Sequence, residues 1–597
     1  MRFVLAIVSL VIAVVLAGYG VAQRTVLADP DSLTASVQTT GDATVTVIDG
    51  ATLDALEGRQ SVALAGSDTV FASYGRTGDV LAWIGDTSYN TVTFDAETQS
   101  LESSVVEGEE IEVPSPAGSD LWLREYEGEG SLDMQMSLND ELSLLVVSDG
   151  VAPAPTDVSI TWPLDNRTPW AGPLILAGAF MLLLALVFLL WALLHQRRSR
   201  GPRRKSIAPP KQPRMPKLPR QKSYRVRKPK AVTQTKGRRS IRRMTVVLPT
   251  VLIGSLALGG CSTDLFDDFN AEDLLPSPSA SPSPSAVTVE EIQPPTVTVG
   301  QIESIVRDVS EVAENADASL DADELAERFA GPALELRASN YEIRSDDSSF
   351  AALPVIPSGP VEVSLPQQLP RDADAWPRTA FAVVSGADDD ENAAPIALTL
   401  IQETPRSMYK VHYAVTLEPD VVIPPLAPEG VGAPRLGPES RLLSLAPGEL
   451  LPAYIDVLNS GADSDSFDLF DVENDGFVAN VGVEAREARE EALDEDAAIE
   501  FSVEAGDAET IALATNESGA LVSVYVTETE TVTPVEDGAT INPEGATKTL
   551  SGVTGSETGV TATYGDQLLF SVPPVGSDEK IVLLGFSQGL ISAQEIP

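Results

Sequence analysis

The 597-residue chain has one cysteine, Cys261, and two histidines, His195 and His412. A single thiol excludes an intrachain disulfide, so any large outer domain must be held by its own core. One cysteine and two scattered histidines leave no ligand set for zinc. No P-loop, G-x-G-x-x-G or H-E-x-x-H pattern occurs, which removes the commonest nucleotide-binding and metalloprotease readings. Lysine is scarce: outside residues 195–243 only Lys410, Lys548 and Lys580 remain. Residues 195–243 in turn lack acid altogether. They hold 20 of the 40 Lys+Arg and none of the 88 Asp+Glu.

Charge therefore divides the chain. Residues 1–194 carry 6 basic and 26 acidic groups, net −20, and residues 195–260 carry net +20. Residues 261–597 carry 14 basic and 62 acidic groups, net −48. The two acidic regions exclude nucleic acid as a partner, because neutralising phosphates needs clustered Lys and Arg. The basic island begins where one apolar run ends and stops where another begins. It reads as a cytoplasmic loop between membrane segments, by the positive-inside rule. Its prolines (Pro202, Pro209, Pro210, Pro213, Pro216, Pro219 and Pro229) predict a disordered or extended tract, and its charge predicts adhesion to anionic lipid.

Three apolar runs flank or precede the island. The first, 3–22, has the length a bilayer core needs and reads as an uncleaved anchor, with a secretory signal as the alternative. The second, 173–194, has Trp170 and Trp191 at its ends and Arg197 and Arg198 directly after it. The third, 245–260, is short, follows Arg239, Arg242 and Arg243, and runs into Leu258-Gly259-Gly260-Cys261. A basic flank, an apolar run, small residues and a cysteine are the parts of a bacterial lipoprotein signal. Cys261 is the expected lipidation site, and the two acyl chains of a thioether-linked diacylglycerol suffice for stable anchoring. A third helix that simply ends in a cysteine is the alternative. The chain reads as a two-helix membrane protein joined to a complete lipoprotein. Topology is expected to run inside–out–inside–out, with 195–243 cytoplasmic and 24–170 and 261–597 outside.

The expected organisation is an anchor or signal at 1–23, an extracytoplasmic β domain at 24–169, a transmembrane helix at 170–194 and the cytoplasmic loop at 195–243. A transmembrane or lipoprotein-signal-like segment at 244–261, a Pro/Ser linker at 262–296 and two α+β domains at 297–425 and 443–597 complete it. The β reading rests on period-two runs at 43–48, 69–74, 80–84 and 91–94 between Gly, Asp and Asn turns, with Trp83 and Trp122 as core anchors. The Pro/Ser tract at 276–285 is a stiff spacer. Helices are predicted at 299–314 and 321–339, followed by strands at 379–384, 396–401 and 409–415. The order repeats with helices at 450–458 and 477–493 and strands at 498–503, 509–514, 520–531, 560–571 and 581–584. Helices followed by a long antiparallel sheet, twice, give a fold resembling the nuclear-transport-factor-2-like (cystatin-like) cone by analogy.

Four patterns invite a chemical reading. Gly585-Phe586-Ser587-Gln588-Gly589 matches the nucleophile elbow of esterases. That fold needs an acid and then a histidine after the serine, and no histidine follows Gly589, so a strand running into a glycine turn is the expectation. His412 reads as a packed or exposed strand residue. Asp471-Val472-Glu473-Asn474-Asp475-Gly476 begins like an EF-hand loop, but its twelfth position is Gly482 where a bidentate glutamate is required, so an acidic turn before a helix at Phe477 is expected. The pairs Asp321/Asp323, Asp372/Asp374 and Asp463/Asp465 have D-x-D spacing, which 88 acids produce by chance. No catalytic, cofactor or metal residue is assigned.

Several stretches resemble a family of uncharacterised multi-pass envelope proteins of actinobacteria. They are Gly-Asp-Val-Leu-Ala-Trp-Ile-Gly at 78–85, Gly-Ser-Asp-Leu-Trp at 118–122, the tract 170–194 and Leu-Gly-Gly-Cys-Ser at 258–262. Pro-Arg-Ser-Met-Tyr-Lys-Val-His-Tyr-Ala-Val at 405–415 and Asp-Gln-Leu-Leu-Phe-Ser-Val-Pro at 566–573 complete the set. The layout covers most of the chain. Relatives of this kind are sometimes labelled glycosyltransferase, a label no residue here justifies. The resemblance implies a non-catalytic, membrane-anchored envelope protein that binds or scaffolds through acidic outer domains. Membrane lipid, a cell-wall polymer or another envelope protein are the partners in view, with no cofactor. The alternative is an extracytoplasmic carbohydrate-active enzyme using paired carboxylates, which two buried carboxylates facing one cleft would favour.

Overall fold

A computed structural model describes residues 2–199, apart from 29, 40, 41, 165 and 167, and residues 293–597, apart from 371–375, 387–393, 420 and 537. The basic tract beyond residue 199, the apolar run 245–260, Cys261 and the Pro/Ser linker lie outside the described residues. Residues Ala13–Ala179 and Glu291–Pro597 belong to one compact unit, to which the β module and the C-terminal half both contribute.

The chain opens with helix α1 (Arg2–Thr25) and enters a β module. Its elements are β1 (Ser32–Gln38), β2 (Val45–Ile48), a single turn α2 (Gly50–Leu53), β3 (Gln60–Arg76), α3 (Thr77–Ile84), β4 (Tyr89–Asp95), β5 (Ser100–Val106), β6 (Arg124–Met136), β7 (Leu142–Val147) and β8 (Asp157–Pro163). The strands form one sheet in the order β1-β8-β3-β7-β2-β4-β5, with β6 on β3. Only β2 and β4 run parallel. The length of β3 explains the shape. Its first part pairs β8, its last part pairs β7, and β6 follows it along the other edge. A register slip between Ala65 and Thr69 bends it. The path ends, β1 and β5, come into contact, so the sheet nearly closes.

Both faces of the central strands are covered. Leu64, Val70, Leu144, Val146, Ile160 and Trp162 pack on one side. Val45, Val47, Phe71, Trp83, Trp122 and Leu145 pack on the other. That is why residues 144–147 of β7 read as an unbroken apolar run. Trp83 and Trp122 meet edge to face with ring centroids 5.7 Å apart. The strand expected at 80–84 is instead the end of α3. Val80, Trp83 and Ile84 are buried at helical spacing while Leu81 is exposed; a short apolar run satisfies both periods, and packing decides.

Helix α4 (Ala171–Ser199) follows the β module. Both α1 and α4 are long and apolar enough to cross a membrane, and most of their apolar side chains are exposed. Where they approach, Gly20 leaves no room for a side chain. A Cβ there would stand 2.8 Å from Ile175 Cγ1.

The C-terminal half has two lobes. The first is α5 (Val299–Ser319), α6 (Ala322–Leu325), α7 (Gly331–Asp346) and the strands β9 (Val361–Pro366), β10 (Arg378–Val384), β11 (Ile396–Gln402) and β12 (Lys410–Thr416). Thr298 and Gln301 close a capping box at the start of α5. The strands form an antiparallel meander, β12-β11-β10-β9. The second lobe is β13 (Arg435–Leu436), α8 (Pro447–Ser460), α9 (Gly476–Val481), α10 (Val483–Glu491), β14 (Ala497–Ala505), β15 (Ile511–Ala514), β16 (Ala520–Pro534), α11 (Gly545–Ser551), β17 (Val560–Val572) and β18 (Val582–Glu595). Its sheet runs β13-β15-β16-β17-β18, with β14 on β16.

In each lobe helices cover one face of the sheet. Ile302, Val306 and Val309 pack on Ala380, Leu398 and Leu400. Leu450, Tyr454, Val457 and Phe477 pack on Val522, Val524 and Phe570. The other two faces meet each other, Leu365, Phe381 and Val415 against Leu513, Leu521 and Leu569. β10 and β11 are thus buried on both sides, which is why apolar residues dominate both strands instead of alternating with polar ones.

Two expected helices are each broken. Residues 321–339 form α6, a turn and α7, because Gly331 takes φ +54° and Pro332 starts a new helix. Residues 477–493 form α9 and α10, separated at the extended Gly482.

Candidate functional site

The nucleophile-like motif lies wholly inside β18, so the expected glycine turn after the strand is absent. Each part has a packing task. A Cβ on Gly585 would stand 2.3 Å from Thr416 O, and one on Gly589 2.6 Å from Leu336 Cδ1. The Ser587 hydroxyl accepts from Thr416 N at 3.1 Å. The pattern stitches the lobes together: two glycines admit the first lobe's backbone and side chains, and the serine bonds its last strand.

The other sequence-flagged residues are likewise structural. His412 sits on β12 within 3.9 Å of Glu403, and burial lowers its pKa to about 4, so it is neutral at pH 7. His195 is exposed on α4. In the EF-hand-like stretch, Asp471 accepts from Asn474 at 3.0 Å. Asp475 caps α9 through Val478 N and accepts from the Tyr454 hydroxyl, both at 2.8 Å. This is the acidic turn before a helix that the sequence suggested. Asp321 caps α6 through the Asp323 and Glu324 amides. Asp463 lies in an exposed 3₁₀ turn and Asp465 just after it. Asp372, Asp374 and Cys261 lie outside the described residues. Among the described residues no group of three His, Cys, Asp or Glu is placed to hold a metal ion.

Sequence reasoning missed an acidic interior in the second lobe. Glu528 on β16 and Asp566 on β17 project from the sheet face that carries Val522, Val526, Leu568 and Phe570. Both are essentially inaccessible. Burial raises both carboxyls, that of Asp566 well above the usual range, and the neighbouring Glu528 charge adds to it. Arg489 partly offsets this for Glu528, at 3.3 Å, and also pairs with Glu530. Gln588 donates to Glu528 at 3.3 Å. A carboxyl whose proton is held more tightly than usual is the kind of group a general acid needs. Neither lines the cavity of about 210 Å³ where the lobes meet, whose walls include Leu336, Ile356, Ile396, Ala414, Phe586 and Ser587.

The densest polar constellation lies where the β module docks on the C-terminal half. Asp120 Oδ2 is 2.7 Å from Arg328 Nη1 and accepts from Tyr409 N at 2.6 Å. Burial pushes the Asp120 carboxyl up while Arg328 and the Tyr409 amide pull it down. Asp79 Oδ1 is 2.7 Å from Arg378 Nη2, and Arg378 has no accessible surface. The Arg378 guanidinium stacks 3.7 Å over the Trp376 ring, which joins the β-module core. Arg406 donates to Trp83 O and Ile84 O, both at 2.8 Å, at the C-terminal end of α3, where Ile84 O also accepts from Thr87 N at 3.3 Å. Gln301 donates to Asp120 O and Leu121 O. One signal was available: Arg378 opens the apolar run of β10, and an arginine so placed in a half with 14 basic groups points to a buried partner.

Residues 293–595 match the family described as Domain of unknown function (DUF8094), and the chain belongs to that family. The match spans both C-terminal lobes. No curated protein and no solved structure matches.

Proposed function

We propose that this DUF8094 protein is a non-catalytic, membrane-anchored envelope protein that binds or scaffolds through its acidic outer modules. The carrying observation is the docked face: Asp79 and Asp120 pair with Arg378 and Arg328, so the β module and the DUF8094 half are held against each other in one compact unit. Two apolar helices with lipid-compatible surfaces support the anchoring. The topology is three-segment, with 195–243 cytoplasmic and the modules outside, and Cys261 is the lipidation site. The helix-then-sheet order of each C-terminal lobe supports a nuclear-transport-factor-2-like reading, and the cavity between the lobes suits a small, mainly apolar ligand. Its partners are membrane lipid and a cell-wall polymer or a second envelope protein.

Labelling with a palmitate analogue in wild type and Cys261→Ala tests the anchor; equal labelling removes lipidation. Crosslinking in native membranes then identifies what the outer modules touch.

A second reading, a carbohydrate-active enzyme, draws on Glu528 and Asp566. They are buried carboxyls on adjacent strands, one with a strongly raised pKa, as a glycosidase acid requires. They face their own helix layer, which weighs against it. Glycan cleavage lost in both Glu528→Gln and Asp566→Asn would establish it over the binding reading.

A further inference from the structure

The β module and the DUF8094 half are far apart in the chain, separated by α4 and all of residues 200–292. Their joint is nevertheless saturated with specific polar contacts. The ion pairs across it run one way: the β module supplies the acids Asp79, Asp120 and Glu110, and the other half supplies Arg378, Arg328 and Arg406, while Arg76 on the β-module side also pairs with Asp79 and Asp308 on the other side also pairs with Arg328. Residues 261–597 have only 14 basic groups against 62 acids, and three of the 14 converge on this one face. Scattered placement does not produce that. Opposite fields on facing surfaces orient and select a partner.

The lobe-to-lobe joint is different: its centre is apolar like a core cut in two, edged by hydrogen bonds such as Tyr525 Oη to Glu335 Oε2 and Ala414 N to Gln567 Oε1. Permanent joints take that form, whereas parts made separately keep a polar, charge-matched contact. We infer that the β-module face around Asp79 and Asp120 is a self-sufficient docking surface for the DUF8094 half, which holds the two as one complex when the chain between them is severed. The partner that fits a DUF8094 domain of this kind is a β module of this kind, on the same chain or another. A tether only raises the local concentration of two parts that already recognise each other.

Docking also sets a parity. The two halves share one side of the membrane, so if α4 crosses, which rests on the anchoring reading above, the chain crosses again before residue 293. The run 245–260 is the apolar tract available for it.

The test uses the full chain with a site-specific protease sequence inserted within 276–285 and an affinity tag at the C-terminus. The protein is extracted in mild detergent, cut, captured by the tag and diluted. The fragment carrying the β module is expected to stay bound. Its release from a cut wild-type sample overturns the inference. Asp120→Asn is expected to weaken retention by about two orders of magnitude, because Arg328 loses its closer, buried counter-charge at 2.7 Å and keeps only the half-exposed Asp308 at 3.3 Å. Unchanged retention would mean the docking face is not the one assigned. The swap Asp120→Arg with Arg328→Asp is expected to recover part of the loss, which a merely misfolded module would not do. Carbonate extraction of the uncut chain reports separately on membrane anchoring, so failure of that reading cannot be mistaken for failure of the docking.

Discussion

Two joints hold the compact unit together, and they are built from opposite chemistry. Between the two DUF8094 lobes, sheet lies on sheet through Phe381, Val415, Leu513 and Leu569, with neutral bonds such as Thr399 to Ser523 at 2.9 Å. Between the β module and the first lobe, buried arginines meet buried carboxylates. The first joint is general and gains from area alone. The second is specific, because a buried charge tolerates only its own partner. One family domain is welded internally and latched externally.

Removing a latch should have the largest effect. Arg378→Ala leaves Asp79 with Arg76 alone, at 3.7 Å, and unstacks Trp376, and is expected to destabilise the docked state by about 3 kcal/mol, read from the first transition in denaturant. A loss below about 1 kcal/mol would erase the contrast between the joints. At the welded joint, Gly585→Ala forces a Cβ against the fixed Thr416 carbonyl and is expected to lower stability by about 1–3 kcal/mol. Gly589→Ala meets only the movable end of Leu336 and should cost less, so equal melting temperatures for the two variants would contradict the geometry. Ser587→Ala leaves the Thr416 amide without its acceptor, a loss of about 1 kcal/mol. If it also abolished an esterase activity, the packing account of the motif would be wrong.

Proton titration gives the smallest and most diagnostic effect. The carboxyls of Asp566 and Glu528 are raised in the fold, so their contribution is complete below the ordinary carboxylate range and is lost as pH climbs through the raised values. His412 has the opposite sign. Its pKa is lowered from 6.5 to about 4, so its contribution is complete above 6.5 and is lost as pH falls towards 4. The C-terminal melting temperature should therefore rise as pH drops towards the ordinary carboxylate range, and level or turn once His412 begins to charge below 6.5. Asp566→Asn should flatten the upper limb; an unaltered limb in calorimetry would show that Asp566 carries no protonation cost.

Legibility followed the range of each interaction. The long apolar helices, the period-two strands and the helix-then-sheet order of the lobes were readable because each is a pattern within one segment. The errors came where two local rules agreed with different structures. Residues 80–84 fit both a strand and the end of a helix, and only the covered face with Val80, Trp83 and Ile84 chose. The G-x-S-x-G pattern could be rejected as a nucleophile from the order of residues, yet its task, admitting Thr416 and Leu336, belonged to a neighbouring lobe. The latch was invisible for the same reason. The stretches 78–85, 118–122 and 405–415 meet at the docking face although more than 280 residues of sequence separate the last from the other two.

Composition and order alone determined the charge partition, the helices able to enter a bilayer, and the absence of a triad or a His/Cys metal set, since these depend on which residues are present and on their spacing along the chain. Which acids would be spent on arginines, which would be buried in a sheet with their pKa raised, and which glycines had to be glycines were decided only by the tertiary structure. Desolvation and steric contact are set by what arrives from elsewhere, and no window of sequence contains that neighbour.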